Sequence, residues 1–316
     1  MRALRNSPST VQSTITLQTP PGFNFWATAY SHGWFDLPPF RVDEEKRILE
    51  RVLRLSDGSL VACRLSSAGP TVATLASSGG KLSADQKREI RSLVRSCLRL
   101  DEDFSEFHAT ALRTPRYRWI AKSGAGRLLR APTLFEDIVK MICTTNCTWS
   151  LTRSMVSKIT TEFGESFAEG RHAFPTPAQL ASTRESTLRT RCKTGYRAPY
   201  LLELAERVAS GSLPIEHWRE SSLPTQELFD SLRTIKGVGP YAAGNILKLI
   251  GRYDYLGLDS WVRTKFAELH SRGRKVKDRT IERAYARHGK WRGLFFWLEM
   301  TQHWHADKFH GAAESE

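Results

Sequence analysis

The stretch from Leu232 to Leu247, reading LRTIKGVGPYAAGNIL, constrains this chain more than any other. Apolar residues at helical spacing run up to Gly237-Val238-Gly239, and a second helical pattern starts at once with Pro240. A proline at the first helical position loses nothing, because its N–H would be orphaned there anyway. The glycines let the backbone turn sharply and let a partner approach without meeting a Cβ. The free amides of the new helix then form a ready seat for a phosphate oxygen, and Lys236 stands close enough in sequence to add charge. An ordinary corner between two packed helices would use the same residues, so the hairpin alone does not decide the function.

The patterns on either side place this corner within a larger frame. Residues 1–80 read as β-rich, with short strands near Val11–Leu17, Ile48–Leu55, Ser59–Leu65 and Thr71–Leu75 and a hairpin turn at Asp57-Gly58. Ser83 followed by Gln86 forms a capping box that opens a helix through about Leu98. Residues 81–304 are then almost wholly helical in period. Helices are expected over Pro132–Thr145, Ser150–Phe163, Pro177–Ala181, Tyr196–Ala209, Thr225–Thr234, Pro240–Ile250, Ser260–His270, Arg279–Ala286 and Trp291–Trp304. Residues 305–316 form a polar tail. The expected class is α+β, mostly helical, with a small N-terminal antiparallel sheet.

Lys and Arg number 47 against 33 acidic residues, a net charge of +14. An excess of that size favours a polyanionic partner, and nucleic acid is the commonest one. No run of apolar residues is long enough for a membrane helix, and residues 1–20 lack a signal-peptide core; they are acid-free and rich in Ser and Thr like a transit peptide, but the alternation Thr14-Ile15-Thr16-Leu17 reads better as a strand. Five cysteines form no paired framework, which points to a reducing compartment: cytoplasm or nucleoid in a bacterium, nucleus in a eukaryote. Cys143 and Cys147 lie one helical turn apart, but packing suits them better than half of a metal site.

Eighteen residues beyond Tyr241 comes Asp259, in Leu256-Gly-Leu-Asp259-Ser-Trp261, where a loop enters a helix. An Asp in that place is most often only an N-cap. The helix dipole and free amides there also favour the ionised carboxylate. Glycosidic cleavage needs such a group, because its transition state resembles an oxocarbenium ion. A cap and a catalyst are compatible roles.

A Gly-Val-Gly hairpin followed by this Asp resembles the helix-hairpin-helix (HhH-GPD) superfamily of DNA glycosylases, between 8-oxoguanine DNA glycosylase and 3-methyladenine DNA glycosylase II. Further segments carry the likeness: Pro21-Gly-Phe-Asn-Phe-Trp26, Arg127-Leu-Leu-Arg130, Ile142-Cys-Thr-Thr-Asn146 and Gly195-Tyr-Arg-Ala198. The resemblance implies the helix-hairpin-helix glycosylase fold, base excision repair of a damaged base in duplex DNA, a monomer, and Asp259 as the catalytic residue. It implies DNA contacts from Lys236, Gly237, Val238, Gly239, Tyr241 and Trp261. It also implies that Asn146, Tyr196 and Arg197 fill the gap left by the extruded nucleotide and contact the orphaned base. Flat, polar and forked side chains suit those tasks.

Two departures refine the expectation. Bifunctional relatives carry a Lys two residues after the second hairpin Gly, where this chain has Tyr241. No amine stands there to form a Schiff base, so the resemblance implies a monofunctional enzyme that leaves an abasic site. The segment Gly289 to Met300 places Phe296 where 8-oxoguanine enzymes offer a Gln, which favours alkylated purines bound by stacking and cation–π attraction. Phe295, Phe296, Tyr241 and Trp261 are the expected base-pocket residues, with Trp297 and Trp304 nearby. No Cys follows Cys192, so no iron–sulfur cluster is expected, nor any catalytic metal. The family allows a structural monovalent cation at the hairpin.

Overall fold

A computed structural model describes residues 11–309. Residues 1–10, the first half of the Ser/Thr-rich N-terminal stretch, and residues 310–316 of the polar tail lie outside the described part. Five strands form one antiparallel sheet: β1 (Val11–Gln18), β2 (Arg41–Asp43), β3 (Ile48–Arg54), β4 (Leu60–Ala68) and β5 (Thr71–Ser78), in the order β1-β5-β4-β3-β2. Asp57-Gly58 makes the expected turn, with the Gly58 N–H donating to the Leu55 carbonyl at 2.9 Å. The β5 pattern alternates half-buried and buried residues, as one wet face and one packed face require. The fold is α+β and mostly helical, as the periodicity implies.

The capping box is present in full: Ser83 Oγ accepts from Gln86 N–H, and the Gln86 side chain accepts from Ser83 N–H. Several helices end within a residue or two of their expected limits, including Leu134–Thr144, Thr225–Arg233 and Pro240–Leu249. The expected Trp291–Trp304 helix is instead divided into Arg292–Met300 and Gln302–Phe309. At the break, the hydroxyl of fully buried Thr301 donates to the Trp297 carbonyl. Residues 305–309, read as tail, belong to the second of these helices. Short helices at Phe25–Ala29, Ser105–Arg113 and Arg118–Lys122, and the three-residue β2, are additional elements too brief to declare a period.

One cluster of buried side chains runs from Ile15 in the sheet to Met300 in the helices. Helix Leu134–Thr144 lies at its centre, with ten of its eleven residues buried. Its charged residues survive there because each is paired. Glu136 binds Arg51 of β3 at 2.9 Å and Lys140 at 2.7 Å. Asp137 binds Arg219 at 2.8 Å and accepts from the Trp34 indole at 2.7 Å. This helix therefore ties the sheet to the helical part and fixes the segment around Trp34, which becomes a wall of the site.

Candidate active site and nucleic-acid interface

The hairpin is built as its sequence demands. Helix Thr225–Arg233 leads into the turn, and helix Pro240–Leu249 leaves it. Gly237 adopts φ 85°, a conformation costly for any other residue, and a Cβ there would lie 2.9 Å from the Tyr200 ring. Gly239 is the N-cap at φ −80°, and a Cβ on it would meet no protein atom within 4 Å. Val238 is buried, while Gly239 and Pro240 present an open backbone edge. Lys236 is exposed and pairs with Glu203 at 2.6 Å, so in this conformation it does not point a free charge at the turn.

Asp259 caps helix Ser260–His270, its Oδ1 accepting from the Val262 N–H at 2.8 Å. The carboxylate is half-buried and forms no ion pair among the described residues. It lies where two concavities meet. A groove of about 990 Å³ runs along the hairpin turn past Asn146 and Tyr196, and a cavity of about 600 Å³ opens behind it. Asp259, Tyr241 and Trp261 line both. Tyr241 is mostly buried beside the acid; burial first, then the negative charge of Asp259, pushes its phenol pKa up, so the ring carries its proton.

Lys248, one face along the same helix, is fully buried and also lines the cavity. Its ammonium donates to the Leu256 carbonyl at 2.7 Å, Asn245 Oδ1 at 3.1 Å and the Gly244 carbonyl at 3.4 Å. It thus ties the hairpin's second helix to the loop that delivers Asp259. Burial draws its pKa down to about 7, and the Asp259 charge opposes that shift.

Aromatic side chains dominate the cavity walls. Trp261, 39% exposed, stacks on Trp304 at a centroid distance of 5.4 Å, and Trp297 meets Trp304 edge-on at 5.7 Å. Tyr30, Trp34, Phe35 and Trp149 line the cavity as well. The expectation for Phe295 and Phe296 is corrected here. Both are wholly buried and line neither concavity: Phe295 packs on Phe107 and Tyr117, Phe296 on Tyr285. Helix Arg292–Met300 turns that face into the core and leaves Trp297 as its contribution to the cavity.

The segments expected to plug an emptied stack converge at the groove. Asn146 follows helix Leu134–Thr144 at φ 48°, a left-handed conformation that Asn tolerates better than most residues. Its amide lies 3.4 Å from the hydroxyl of Tyr196, which is 47% exposed. Arg197 departs from expectation. It is buried, donates to the Thr145 carbonyl, and lies 4.5 Å from the Tyr196 ring centre. In this conformation it joins the Asn146 and Tyr196 segments from beneath and does not line the groove.

Sequence reading missed Tyr30, His32, Trp34, Trp149 and Lys248. Aromatic residues clustered at 25–35 (FWATAYSHGWF) were an available sign, as was a lone Lys among apolar residues in Ile246–Ile250. Cys143 is buried, with its thiol pKa pushed up to about 12 by burial, and Cys147 donates to the Cys143 carbonyl. Both pack, as their spacing suggested.

Comparison with known proteins is informative at the level of fold and family. No curated protein is matched. The chain is similar in structure to a 3-methyladenine DNA glycosylase from Archaeoglobus fulgidus (TM-score 0.74, 19% identity, covering 92% of this chain and 98% of that one). It is also similar to an 8-oxoguanine glycosylase/lyase from Clostridium acetobutylicum without DNA (TM-score 0.68, 19% identity, 93% and 98% covered). The same Clostridium enzyme bound to duplex DNA with cytosine opposite 8-oxoguanine gives a TM-score of 0.67 at 19% identity, with 93% and 98% covered. At these identities the likeness is one of fold. Residues 139–293, which include Asn146, Tyr196, the hairpin and Asp259, match the model of the HhH-GPD superfamily base excision DNA repair protein. Over these residues, about half of the chain, it is a match to the HhH-GPD superfamily of base excision DNA repair proteins.

Proposed function

We propose that the protein is a monofunctional DNA glycosylase that removes an alkylated purine from duplex DNA and leaves an abasic site. The observation that carries this reading is the place of Asp259, at the opening between a hairpin-lined groove and an aromatic cavity. The open Gly239 backbone edge receives a phosphate, and the excess of basic residues holds the duplex. The damaged nucleotide swings out, Asn146 and Tyr196 enter the gap, and the base enters the cavity. Its sugar then lies at the opening, against Asp259.

The C1′–N bond breaks with its electron pair leaving on the base. Asp259 stabilises the positive charge that develops on the sugar and orients a water whose oxygen bonds to C1′. The water's proton passes to the carboxylate and then to solvent or the departing base. Tyr241 supplies no amine, so hydrolysis rather than Schiff-base chemistry follows. Stacked indoles favour a base already carrying positive charge, which alkylated purines do. The proposed chemistry asks for a carboxylate and a water. The C. acetobutylicum neighbour acts on 8-oxoguanine, so that base belongs among the substrates tested.

The experiment is a panel of duplexes, each with one alkylated, oxidised or deaminated base, incubated with the protein and then with alkali. Cleavage at 3-methyladenine or 7-methylguanine is expected. Cleavage only at 8-oxoguanine would overturn the substrate class, and binding without any cleavage would overturn the enzymatic reading.

A further inference from the structure

One side chain in the cavity has a fixed hydrogen-bonding polarity and one ring nitrogen without a protein partner among the described residues. His32 is 8% exposed and lines the cavity next to Trp34. Its Nε2 lies 2.5 Å from the Leu129 carbonyl oxygen. A carbonyl can only accept, so Nε2 carries a proton. Burial, reinforced by the charges of Lys140 and Arg99, draws the ring's pKa down to about 4, so the ring is neutral and holds one proton. Nδ1 is then a bare acceptor, and it has no protein partner among the described residues.

The segment around this ring is gripped on both sides. The Leu129 N–H donates to Ser31 Oγ at 2.9 Å, and the Trp297 indole donates to the Ser31 carbonyl at 3.0 Å. Gly33 lies so close to Trp149 that a Cβ there would fall 2.2 Å from the indole. The Trp149 indole in turn donates to Asp36 at 2.8 Å. Such a ring cannot rotate away to find water without breaking its bond to Leu129. Nδ1 therefore faces cavity space that water can enter, and a ligand that displaces this water must donate to Nδ1 itself or lose the hydrogen bond.

Resting on the proposed glycosylase reading, we infer that His32 is a specificity-determining residue whose Nδ1 accepts from an N–H on the extruded base, selecting amino-bearing purines over rings that lack the donor. The Lys248 ammonium, which also lines the cavity, is occupied by its three oxygens and does not compete for that role. The aromatic walls supply affinity, and His32 supplies the choice between bases of similar size.

Equilibrium binding of two free bases to the full-length protein tests this: 9-methyladenine, which offers only its amino N–H groups, and 9-methylpurine, the same ring without them. Wild type is expected to bind 9-methyladenine at least about tenfold more tightly, the ratio for one hydrogen bond at a group the ligand desolvates. His32→Phe should reduce the ratio to about one with 9-methylpurine affinity unchanged. His32→Gln, which can still donate to Leu129 and accept from a base, should recover part of it. Thermal melting of each variant establishes that it folds, and the Gln variant carries the test if Phe does not. An unchanged ratio in the folded Phe variant, no preference in wild type, or binding of neither base would overturn the assignment. Selection through His32 in a protein that cuts no damaged duplex would instead sink the glycosylase reading and leave this one standing.

Discussion

The Asp259 carboxylate accepts the Val262 backbone N–H at 2.8 Å, so the acid that opens onto the cavity is also the cap of its own helix. The two roles have different chemical requirements. Capping needs a side-chain oxygen, whereas stabilising a cationic sugar needs a negative charge.

Asp259→Asn separates them. Asn caps about as well as Asp, so the denaturation midpoint and duplex affinity should stay near wild type. Single-turnover cleavage of a 7-methylguanine duplex should fall by two to three orders of magnitude, about 2.7–4 kcal/mol of lost charge stabilisation. Asp259→Ala should lose the same activity and also about 1 kcal/mol of stability. Cleavage retained in either variant moves the chemistry to another residue.

Tyr241 takes the place, two residues after the second hairpin glycine, where the resemblance puts the lysine of bifunctional relatives. Wild-type protein incubated with damaged duplex and borohydride should give no covalent DNA adduct, and Tyr241→Lys should create one. An adduct in wild type would mean that a resident amine, Lys248 above all, reaches C1′.

Gly237 and Gly239 should behave differently on substitution. Gly237→Ala meets both a positive φ and the Tyr200 ring and should cost roughly 1–3 kcal/mol of stability. At Gly239 an added Cβ meets no protein atom within 4 Å, so Gly239→Leu should cost only the poorer N-cap, about 1 kcal/mol at most, while duplex affinity falls and its salt dependence becomes shallower. Unaltered binding in Gly239→Leu would remove the hairpin edge from the interface.

Lys248 gives a pH signature. Its pKa of about 7 in the fold lies below the ordinary 10.5 that it regains on unfolding. Between those values the unfolded chain holds the extra proton, so this residue makes stability rise with pH from about 7 towards 10.5. The stability difference between wild type and Lys248→Met should therefore grow in favour of wild type between pH 7 and 9, by up to about 1.4 kcal/mol per pH unit. A flat difference would show that the amine keeps its proton in the fold, held by its three oxygens.

What the amino-acid order determined unaided is whatever is written within a turn or two of chain. The Ser83 capping box, the Asp57-Gly58 hairpin, the Gly-Val-Gly-Pro corner and the cap at Asp259 depend on neighbours only a few residues away, and each was legible. The cavity was not. Its walls come from around residue 32, from helix Leu134–Thr144 and its exit, from Tyr241 to Asp259, and from Trp297 and Trp304. No local period states that Trp149 packs on Gly33 or that Leu129 fixes the His32 ring. The same limit misplaced Phe295 and Phe296, because helical spacing shows that a face is apolar but not whether core or cavity receives it. That choice belonged to the tertiary structure, which sets the rotation of helix Arg292–Met300 by packing Phe295 against Phe107 and Tyr117 and leaves Trp297 to the cavity.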